Sequence, residues 1–296
     1  MKPKKSNKDS LYMMWSLAIV LCVILSFFAL FFASCSKGED SGKTSGKEVP
    51  VLEDDGGDGT SGDGAGAASA APDTQTPPES TPASVTEAPP TRLAETADAG
   101  TAYIDKFVFL GDSTTYALKA NGVLSGGTNT TQVWTPASGT LTLSYQSIAT
   151  IVYPETGEEL TIVEAVTKKQ PEYMLITLGV NGVSFMDEEY FTSEYTALVQ
   201  NIQAASPNTK IILNSIYPVA SNYQYLGDIN NEKITAANGW VEKVAENTGV
   251  RFLNSFEAIV GADGWLPYEK SNGDGIHLNA DGCNVILNYI RTHEYQ

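Results

Sequence analysis

The chain has 296 residues and a formal net charge of −17, and hydrophobic residues make up 42% of it. From residue 101 to residue 296 it carries 21 acidic against 10 basic side chains, so the negative charge extends over the part best able to fold. Such an acidic surface repels phosphate backbones, which excludes nucleic acid as an expected partner.

The first 35 residues have the pattern of an export and anchoring segment. Lysines near the start precede an apolar run from Leu11 to Ala33, and such a cationic flank stays in the cytoplasm while the following chain is exported. The run ends in Phe32-Ala33-Ser34-Cys35, which resembles the lipobox of bacterial lipoproteins and marks Cys35 for lipidation. Its length of about 23 residues also fits an uncleaved transmembrane anchor. Both alternatives tether the chain to the membrane and place the remainder on the extracellular face.

Residues 36–100 have the composition of a disordered linker. Gly, Ser, Thr, Pro, Ala and acidic residues dominate this segment. A chain of this kind cannot bury enough apolar surface to offset the entropy lost on ordering. We therefore predict an anchor over residues 1–35, a linker over residues 36–100 and one folded domain over residues 101–296.

Strand and helix patterns alternate along the predicted domain. Short apolar runs predict strands at residues 106–110, 131–134, 173–179, 210–215 and 250–253, and amphipathic spacing predicts helices at residues 113–120, 159–169, 188–205, 230–247 and 280–292. This alternation predicts an α/β fold whose parallel sheet is covered on both faces. Ligands of such folds bind beyond the carboxyl ends of the strands. The rule selects residues 111–113, residues 179–181 and the loop before the last helix.

Ser113 is the candidate nucleophile at the first of these places. It follows Gly111-Asp112 at the start of a predicted helix, where free N–H groups and the helix dipole favour developing negative charge. A neutral hydroxyl needs a general base within hydrogen-bond reach, and the chain has only two histidines. His293 lies three residues from the C-terminus and is expected to be exposed, which leaves His277 as the base. The alternative is that Gly-Asp-Ser only forms a helix cap, with Asp112 or Ser113 as the capping residue.

Two further polar residues complete the candidate site. Asp274 lies three residues before His277 in a turn-rich loop, so its carboxylate can orient the imidazole and stabilise the imidazolium. Asn181 follows the central strand, and its amide can point into the same crevice as an oxyanion donor. Each has a simpler explanation, namely a loop histidine bonded to its own turn and a turn asparagine beside a glycine. Their joint placement at the carboxyl ends of strands favours a catalytic site.

The cysteines indicate no metal site. Cys22 and Cys35 lie in or beside the apolar N-terminal run, so the predicted domain contains one thiol, Cys283, and no internal disulfide. The sequence has neither a CxxC pair nor a Cys/His cluster, and zinc sites depend on such groups. We expect Cys283 to be a small buried hydrophobic residue, and we expect neither a metal nor a cofactor.

Together these motifs resemble the SGNH, or GDSL-type, hydrolase family. That family carries Gly-Asp-Ser near the start of its domain, Gly-x-Asn-Asp in the middle and Asp-x-x-His near the end. The corresponding segments here are Gly111-Asp112-Ser113, Gly179-Val180-Asn181-Gly182 and Asp274-Gly275-Ile276-His277. The resemblance implies a flavodoxin-like three-layer α/β/α sandwich, with Ser113 as nucleophile, His277 as base and Asp274 as its carboxylate. It also implies an oxyanion hole made of the Ser113 N–H, the Asn181 side chain and the N–H of one glycine.

The chain departs from the family pattern at Gly182, and the oxyanion glycine has alternatives. Gly182 stands where the family has Asp, which removes a supporting residue but no catalytic one. For the oxyanion glycine we choose Gly139, after the second predicted strand, over Gly122 and Gly126. The sequence contains no Gly-x-Ser-x-Gly motif, which argues against the α/β-hydrolase fold.

The sequence therefore predicts an extracellular serine esterase that works through an acyl-Ser113 intermediate. Its expected location favours a cell-wall or extracellular glycan ester as substrate, and hence an O-deacetylase. The alternatives are a lysophospholipase or short-chain lipid esterase, and a non-catalytic surface binding protein with the same fold. Trp134, Trp240 and Trp265 could stack on sugars, although aromatic residues of an α/β domain more often belong to its core.

Overall fold

The computed structural model describes residues 90–296 of the chain. The predicted anchor segment, its lipidation site Cys35 and the predicted linker as far as residue 89 lie outside the described residues. Between residues 90 and 296, no helix combines the length and the apolar character needed to cross a membrane.

Seven strands and seven α-helices make up the described part of the chain. The strands are β1 (Phe107–Gly111), β2 (Val133–Trp134), β3 (Thr150–Val152), β4 (Glu159–Thr161), β5 (Tyr173–Thr177), β6 (Lys210–Asn214) and β7 (Arg251–Leu253). The helices are α1 (Thr101–Ile104), α2 (Ser113–Ala120), α3 (Ile162–Lys169), α4 (Glu188–Ala205), α5 (Asn231–Thr248), α6 (Ser255–Ile259) and α7 (Ala280–Arg291). Short 3₁₀ turns lie at Gly127–Asn129, Leu143–Tyr145 and Tyr268–Lys270.

Five strands form one parallel sheet in the order β2-β1-β5-β6-β7. Counted among themselves, these strands follow the order 2-1-3-4-5, which is the flavodoxin-like arrangement. Every residue of the central strands β1 and β5 is buried, because helices cover both faces of the sheet. The predicted parallel sheet is confirmed.

Each strand contributes to two core layers, because successive side chains point to opposite faces of a sheet. From β1, Val108 and Leu110 join the core on the face covered by α3, α4 and α5. Phe107 and Phe109 join the core on the opposite face, beneath α1, α2 and α7. The three-layer α/β/α sandwich is therefore confirmed.

The helix predicted at residues 159–169 begins later than expected. Residues 159–161 form β4, which pairs antiparallel with β3 in a separate two-stranded sheet. Thr161 caps α3: its hydroxyl accepts a hydrogen bond from the Glu164 amide at 3.3 Å, and the Glu164 carboxylate accepts one from the Thr161 amide at 2.9 Å. This capping box sets the start of the helix at Ile162.

The folded domain extends N-terminal of the predicted boundary at residue 101. The chain beside Leu93 pairs with β7: the Leu93 amide donates to the Phe252 carbonyl and the Phe252 amide donates to the Thr91 carbonyl, both at 2.9 Å. Leu93 is buried in the core. Because Leu93 is one apolar side chain in a polar stretch, composition alone placed this segment in the linker.

The expectation that His293 is exposed is wrong. Its side chain is buried, and its ring stacks on Tyr289 with 3.8 Å between ring centroids. The chain folds back after α7, where the His293 amide donates to the Ile290 carbonyl at 3.3 Å and Nδ1 lies 2.8 Å from the Tyr289 carbonyl oxygen. His293 is thus a packing residue at the end of the last helix.

Candidate active site

The turn from β1 to α2 presents Ser113 as the first residue of the helix. Asp112 is the N-cap, and its Oδ1 accepts hydrogen bonds from the Thr114 amide at 2.9 Å and the Thr114 hydroxyl at 2.7 Å. Asp112, not Ser113, therefore caps the helix, and capping does not explain the presence of Ser113. The Ser113 side chain is partly exposed, and its hydroxyl has no hydrogen-bond partner among residues 90–296. That hydroxyl is available as a nucleophile.

Gly111 permits the close passage from β1 into α2. A Cβ at this position would collide with the Thr115 hydroxyl and with the Thr177 carbonyl at the end of β5. A larger residue would therefore push the end of β1 away from β5. Glycine at this position keeps Ser113 at the carboxyl edge of the two central strands.

One carboxylate organises the loop that carries His277. Asp274 Oδ2 lies 2.6 Å from His277 Nδ1, and Oδ1 accepts backbone hydrogen bonds from Ile276 at 3.0 Å and His277 at 2.9 Å. With Nδ1–H donating to the carboxylate, the neutral ring has its lone pair on Nε2, as a general base requires. Partial burial would raise the pKa of Asp274, but the hydrogen bonds from His277 and Ile276 outweigh burial and lower it. The carboxylate is therefore ionised at neutral pH.

Backbone contacts fix the same loop against the rest of the domain. The Gly275 carbonyl accepts a hydrogen bond from the Ala220 amide at 2.8 Å, and the Ser271 hydroxyl accepts one each from the Gly273 and Gly275 amides at 3.1 Å. Gly275 has a φ of +83°, and a Cβ there would lie 3.0 Å from the Tyr223 backbone. Only glycine combines that dihedral with so close an approach. The loop is thus preformed.

Ser113 and His277 line one cleft, which we call the Ser113 cleft. It lies between α2 and the loop before α7 and has a volume of about 280 Å³. Its other lining residues are Tyr116, Ala117, Ala120, Asn121, Asn272 and Leu278. No hydrogen bond joins Ser113 to His277 among the described residues, and in free enzymes such bonds often form fully only with substrate. The structure therefore brings the predicted nucleophile and base, with Asp274, to one place.

Asn181 lies in a neighbouring cleft of about 430 Å³. Its Nδ2 donates to the Leu141 carbonyl at 3.4 Å, and its side chain is partly exposed. Two residues earlier, Gly179 has a φ of +128°, and a Cβ there would lie 2.7 Å from the Phe191 ring. A hydrogen bond as long as 3.4 Å is weak, so little energy is lost when the amide exchanges Leu141 for an oxyanion.

Gly182 occupies a turn at the position where the family pattern has Asp. Its amide donates to the Gly179 carbonyl at 2.8 Å. A Cβ at Gly182 would lie 2.8 Å from Met186 Sδ and 3.3 Å from the Gly179 carbonyl oxygen. An Asp at this position would require the Met186 side chain to move.

Gly139 lies against the ring of Tyr116, which lines the Ser113 cleft. A Cβ at Gly139 would lie 3.7 Å from that ring. Its φ is +74°, and its N–H donates to the Pro136 carbonyl at 2.8 Å. The N–H must leave Pro136 before it can bind an oxyanion, so the assignment of Gly139 to the oxyanion hole stays a prediction.

Asp112 is a buried carboxylate next to the candidate nucleophile. The sequence indicated that Asp112 could cap the helix but not that its side chain is buried. Its side chain is 1% exposed. Burial raises the pKa of Asp112 to about 6, against the opposing effects of the hydrogen bonds from Thr114 and of the charge on His277. Tyr116 was also missed, although its position three residues after Ser113 puts both on one helix face.

A buried polar network lies behind the site at the end of β6. Asn214 Nδ2 donates to the Thr177 hydroxyl at 3.1 Å and to the Tyr217 hydroxyl at 3.2 Å, and Asn214 Oδ1 accepts from the Ser255 hydroxyl at 2.6 Å. All four side chains are buried. The network joins the ends of β5 and β6 to the start of α6, which stabilises the sheet edge that carries the site.

Several solved structures resemble the domain. A Streptococcus pneumoniae protein provisionally assigned as a platelet activating factor is 19% identical, with a TM-score of 0.47 over 64% of this chain and 84% of its own. A provisionally assigned acylhydrolase from Bacteroides fragilis is 18% identical, with a TM-score of 0.45 over 62% and 84%. A GDSL-like lipase from Bacteroides thetaiotaomicron is 17% identical, with a TM-score of 0.41 over 64% and 87%. The search of curated proteins gave no match.

The family model of the GDSL-like lipase/acylhydrolase family matches residues 109–285. The matched range covers more than half of the 296 residues and contains Ser113, Asn181, Asp274 and His277. The resemblance stated from the three motifs is therefore confirmed. The chain belongs to the GDSL-like lipase/acylhydrolase family, and it is an ester-hydrolysing enzyme.

Proposed function

We propose that this enzyme is an extracellular serine esterase that removes short acyl groups, acetyl above all, from a cell-wall or extracellular glycan. One observation carries the chemistry: His277, whose Nδ1 lies 2.6 Å from Asp274 Oδ2, lines the same cleft as Ser113, whose hydroxyl has no hydrogen-bond partner among residues 90–296. Such an arrangement supplies a nucleophile, a general base and a group that orients the base.

In the first half of the proposed reaction, Ser113 Oγ attacks the carbonyl carbon of the ester and its proton passes to His277 Nε2. The carbonyl oxygen becomes negatively charged, and the Ser113 N–H at the start of α2 together with the Asn181 amide stabilises it. The bond from carbon to the glycan oxygen then breaks, and that oxygen takes the proton from Nε2. Asp274 stabilises the transient imidazolium.

In the second half, water replaces the glycan. His277 Nε2 takes a proton from the water, and the resulting hydroxide attacks the acyl carbon. The bond to Ser113 Oγ breaks, and Oγ recovers its proton from Nε2. The products are a short carboxylic acid and the free enzyme, and no cofactor takes part.

The size of the Ser113 cleft supports a short acyl group. Its volume of about 280 Å³ is below the roughly 300–1,000 Å³ typical of pockets for drug-sized ligands. Its apolar lining comes from Tyr116, Ala117, Ala120 and Leu278, and the polar Asn121 and Asn272 interrupt it. A long acyl chain would need a more continuous apolar surface.

The proposed location is supported by the sequence of residues 1–35. A lysine flank, an apolar run and Cys35 together form an export and tethering signal. A linker of Gly, Ser, Thr and Pro would let the domain reach a glycan away from the membrane.

Fractionation of cells that express the full chain, or its Cys35→Ala variant, tests the lipid tether. Release of the variant into the medium supports lipidation, and unchanged membrane association supports a transmembrane anchor.

Fluorophosphonate labelling tests the nucleophile. The wild-type chain and a Ser193→Ala control, which alters an exposed serine on α4, should both be labelled, whereas Ser113→Ala should not. Equal labelling of Ser113→Ala and wild type would disprove the assignment, and so would an absence of labelling in all three.

Product analysis tests the substrate. Wild type and Ser113→Ala should be incubated with acetylated glycans and, in parallel, with lysophospholipids, and acetate and fatty acid should be quantified. We expect Ser113-dependent acetate release to exceed fatty-acid release. Preferential fatty-acid release would establish the lipid-esterase alternative, and the absence of any Ser113-dependent product would support a non-catalytic binding protein.

A further inference from the structure

The cleft that holds Asn181 is rimmed by exposed aromatic rings, and we call it the aromatic cleft. Tyr145, Phe185 and Tyr190 line it and are 62%, 58% and 42% exposed. Its remaining lining residues are Thr140, Thr142, Ser144 and Asn181. Among the described residues, none of these three small hydroxyls has a hydrogen-bond partner. The cleft therefore offers flat apolar surfaces beside unused polar groups.

Exposed aromatic rings are concentrated at this edge of the domain. Within residues 90–296, eight large hydrophobic side chains are exposed. Three line the aromatic cleft, and a fourth, Tyr116, lines the Ser113 cleft. Single exposed apolar residues need no explanation, but a contiguous group marks a binding surface.

The segments that carry Tyr145 and Tyr190 are held in place before any ligand binds. Gln146 Nε2 donates to Glu194 Oε2 at 3.2 Å, which ties the turn that carries Tyr145 to α4. The Tyr190 amide donates to the capping carboxylate of Asp187 at 2.9 Å. Preformed contacts reduce the entropy that a ligand must overcome on binding.

The segment Gly139-Thr140 forms a wall that touches residues of both the aromatic cleft and the Ser113 cleft. Gly139 lies against the Tyr116 ring of the Ser113 cleft, and the next residue, Thr140, lines the aromatic cleft. Asn181 borders the same wall through its hydrogen bond to the Leu141 carbonyl at 3.4 Å. A ligand whose ester group reaches Ser113 can therefore extend across this wall onto the aromatic rings.

We infer that the aromatic cleft binds uncharged sugar residues that flank the acylated sugar of a polysaccharide; this inference rests on the proposed function and deepens it. Aromatic rings stack on the apolar faces of sugars, while Thr140, Thr142 and Ser144 can bond to sugar hydroxyls. An acyl chain would bury those three hydroxyls without partners, which costs free energy. The lining chemistry therefore favours a sugar over a lipid.

Charge restricts the polysaccharide further. Of the described residues that line either cleft, none is Lys or Arg. The adjacent helix α4 has Asp187 as its cap and Glu188 and Glu189 in its first turn. Lys243 pairs with Glu188 at 2.7 Å, and Asp187 and Glu189 leave this turn with a net negative charge. An anionic polymer or a phospholipid head group would meet no cation in the lining of either cleft and would be repelled by this turn. The substrate that fits both clefts is neutral where the aromatic cleft contacts it.

Kinetics on matched substrates test the inference. The full-length wild type, Tyr145→Ala, Phe185→Ala and a Tyr268→Ala control should be compared on acetylated xylan, which is neutral, on acetylated polygalacturonate, which is anionic, and on p-nitrophenyl acetate. Tyr268 is 65% exposed and lies outside both clefts. We expect kcat/KM on acetylated xylan to fall about 10-fold in the two cleft variants, mainly through KM. Activity on p-nitrophenyl acetate, and all activities of Tyr268→Ala, should stay within about 2-fold of wild type.

Several outcomes would overturn the inference. The first is that the cleft variants lose no activity on acetylated xylan, or lose as much on p-nitrophenyl acetate as on xylan. The second is that they lose more activity on p-nitrophenyl palmitate than on xylan. The third is that the wild type prefers the anionic polymer. Binding of xylohexaose to Ser113→Ala gives a readout without catalysis, and it should weaken when Phe185→Ala is added. A wild type that neither hydrolyses acetylated xylan nor binds xylohexaose also refutes the inference. Failure of the proposed function is distinct, because it would show as Ser113-independent hydrolysis of p-nitrophenyl acetate.

Discussion

Asp274 accepts two hydrogen bonds from the same residue: His277 donates through its ring Nδ1 at 2.6 Å and through its backbone amide at 2.9 Å. One carboxylate therefore shapes the turn and orients the imidazole that the turn carries. The sequence left two interpretations of Asp-x-x-His open, a histidine bonded to its own turn and a catalytic pair. The geometry is compatible with both, because the same contacts form the turn and orient the ring.

Replacing Asp274 with Asn should separate these two tasks. The Asn Oδ1 can still accept hydrogen bonds from the Ile276 and His277 amides, so the loop should keep its shape. The Nδ2 group would face His277 Nδ1 and favour the wrong tautomer, and we expect kcat for p-nitrophenyl acetate to fall roughly 10³- to 10⁴-fold, as in other triads. Steady-state kinetics and thermal unfolding should be measured together. A wild-type kcat in Asp274→Asn would contradict the role, whereas Asp274→Ala should lose both activity and stability.

The two histidines should respond differently to substitution by Ala. His277→Ala removes the base and should lower kcat/KM for p-nitrophenyl acetate at least ~100-fold, with little change in melting temperature, because the side chain is partly exposed. His293→Ala should keep its activity but lose stability by about 1–2 kcal/mol, since its ring is buried against Tyr289. Comparable activity losses in both variants would show that the assignment of the base is wrong.

Asp112 should make the stability of the domain depend on pH. Burial raises its pKa to about 6 from its ordinary value of 3.8, so between these pH values the native state holds a proton that the unfolded state has lost. Stability contributed by this group is therefore complete below about pH 4, declines as pH rises and is lost above about pH 6. Asp112→Asn keeps an oxygen for Thr114 and removes the charge, so its unfolding free energy should lack this decline.

The measurement is the difference in unfolding free energy between Asp112→Asn and wild type, taken by urea titration from pH 4 to pH 7. The difference should move in favour of the variant by up to ~3 kcal/mol across that range. Any fixed cost of burying the new amide cancels, because it does not vary with pH. A difference that stays constant would contradict a raised pKa for Asp112.

The central fold could be predicted from the sequence because its strands are apolar along their whole length. β1 and β5 are buried at every residue, and such runs read as strands without reference to the rest of the chain. The pairing of β3 with β4 was missed, since strands of three residues carry too short a pattern. Leu93 was misjudged because its burial depends on pairing with Phe252, which lies far along the chain. His293 was misjudged because the chain folds back after α7 and stacks its ring on Tyr289, four residues earlier.

The residues of the candidate site also differ in how well the sequence alone could predict them. Ser113 and the Asp274–His277 pair were predictable, because each depends on a strand end or one local turn. The oxyanion hole depends on how two separate loops meet, so its assignment to Asn181 and Gly139 stays a prediction. The Gly139 amide is bonded to Pro136 and the Asn181 amide to Leu141, and neither contact has a signal in the sequence.

Asn214 should be among the most costly polar residues to remove. Its side chain is fully buried and is bonded to the hydroxyls of Thr177, Tyr217 and Ser255. Asn214→Ala would leave these groups without their partner and create a cavity, and we expect the free energy of unfolding to fall by about 2–4 kcal/mol. Urea unfolding measures this loss, and Asn284→Ala, an exposed position on α7, serves as the matched control with a change within about 0.5 kcal/mol. Equal stabilities of the two variants would mean that the network does not stabilise the strand ends behind the active site.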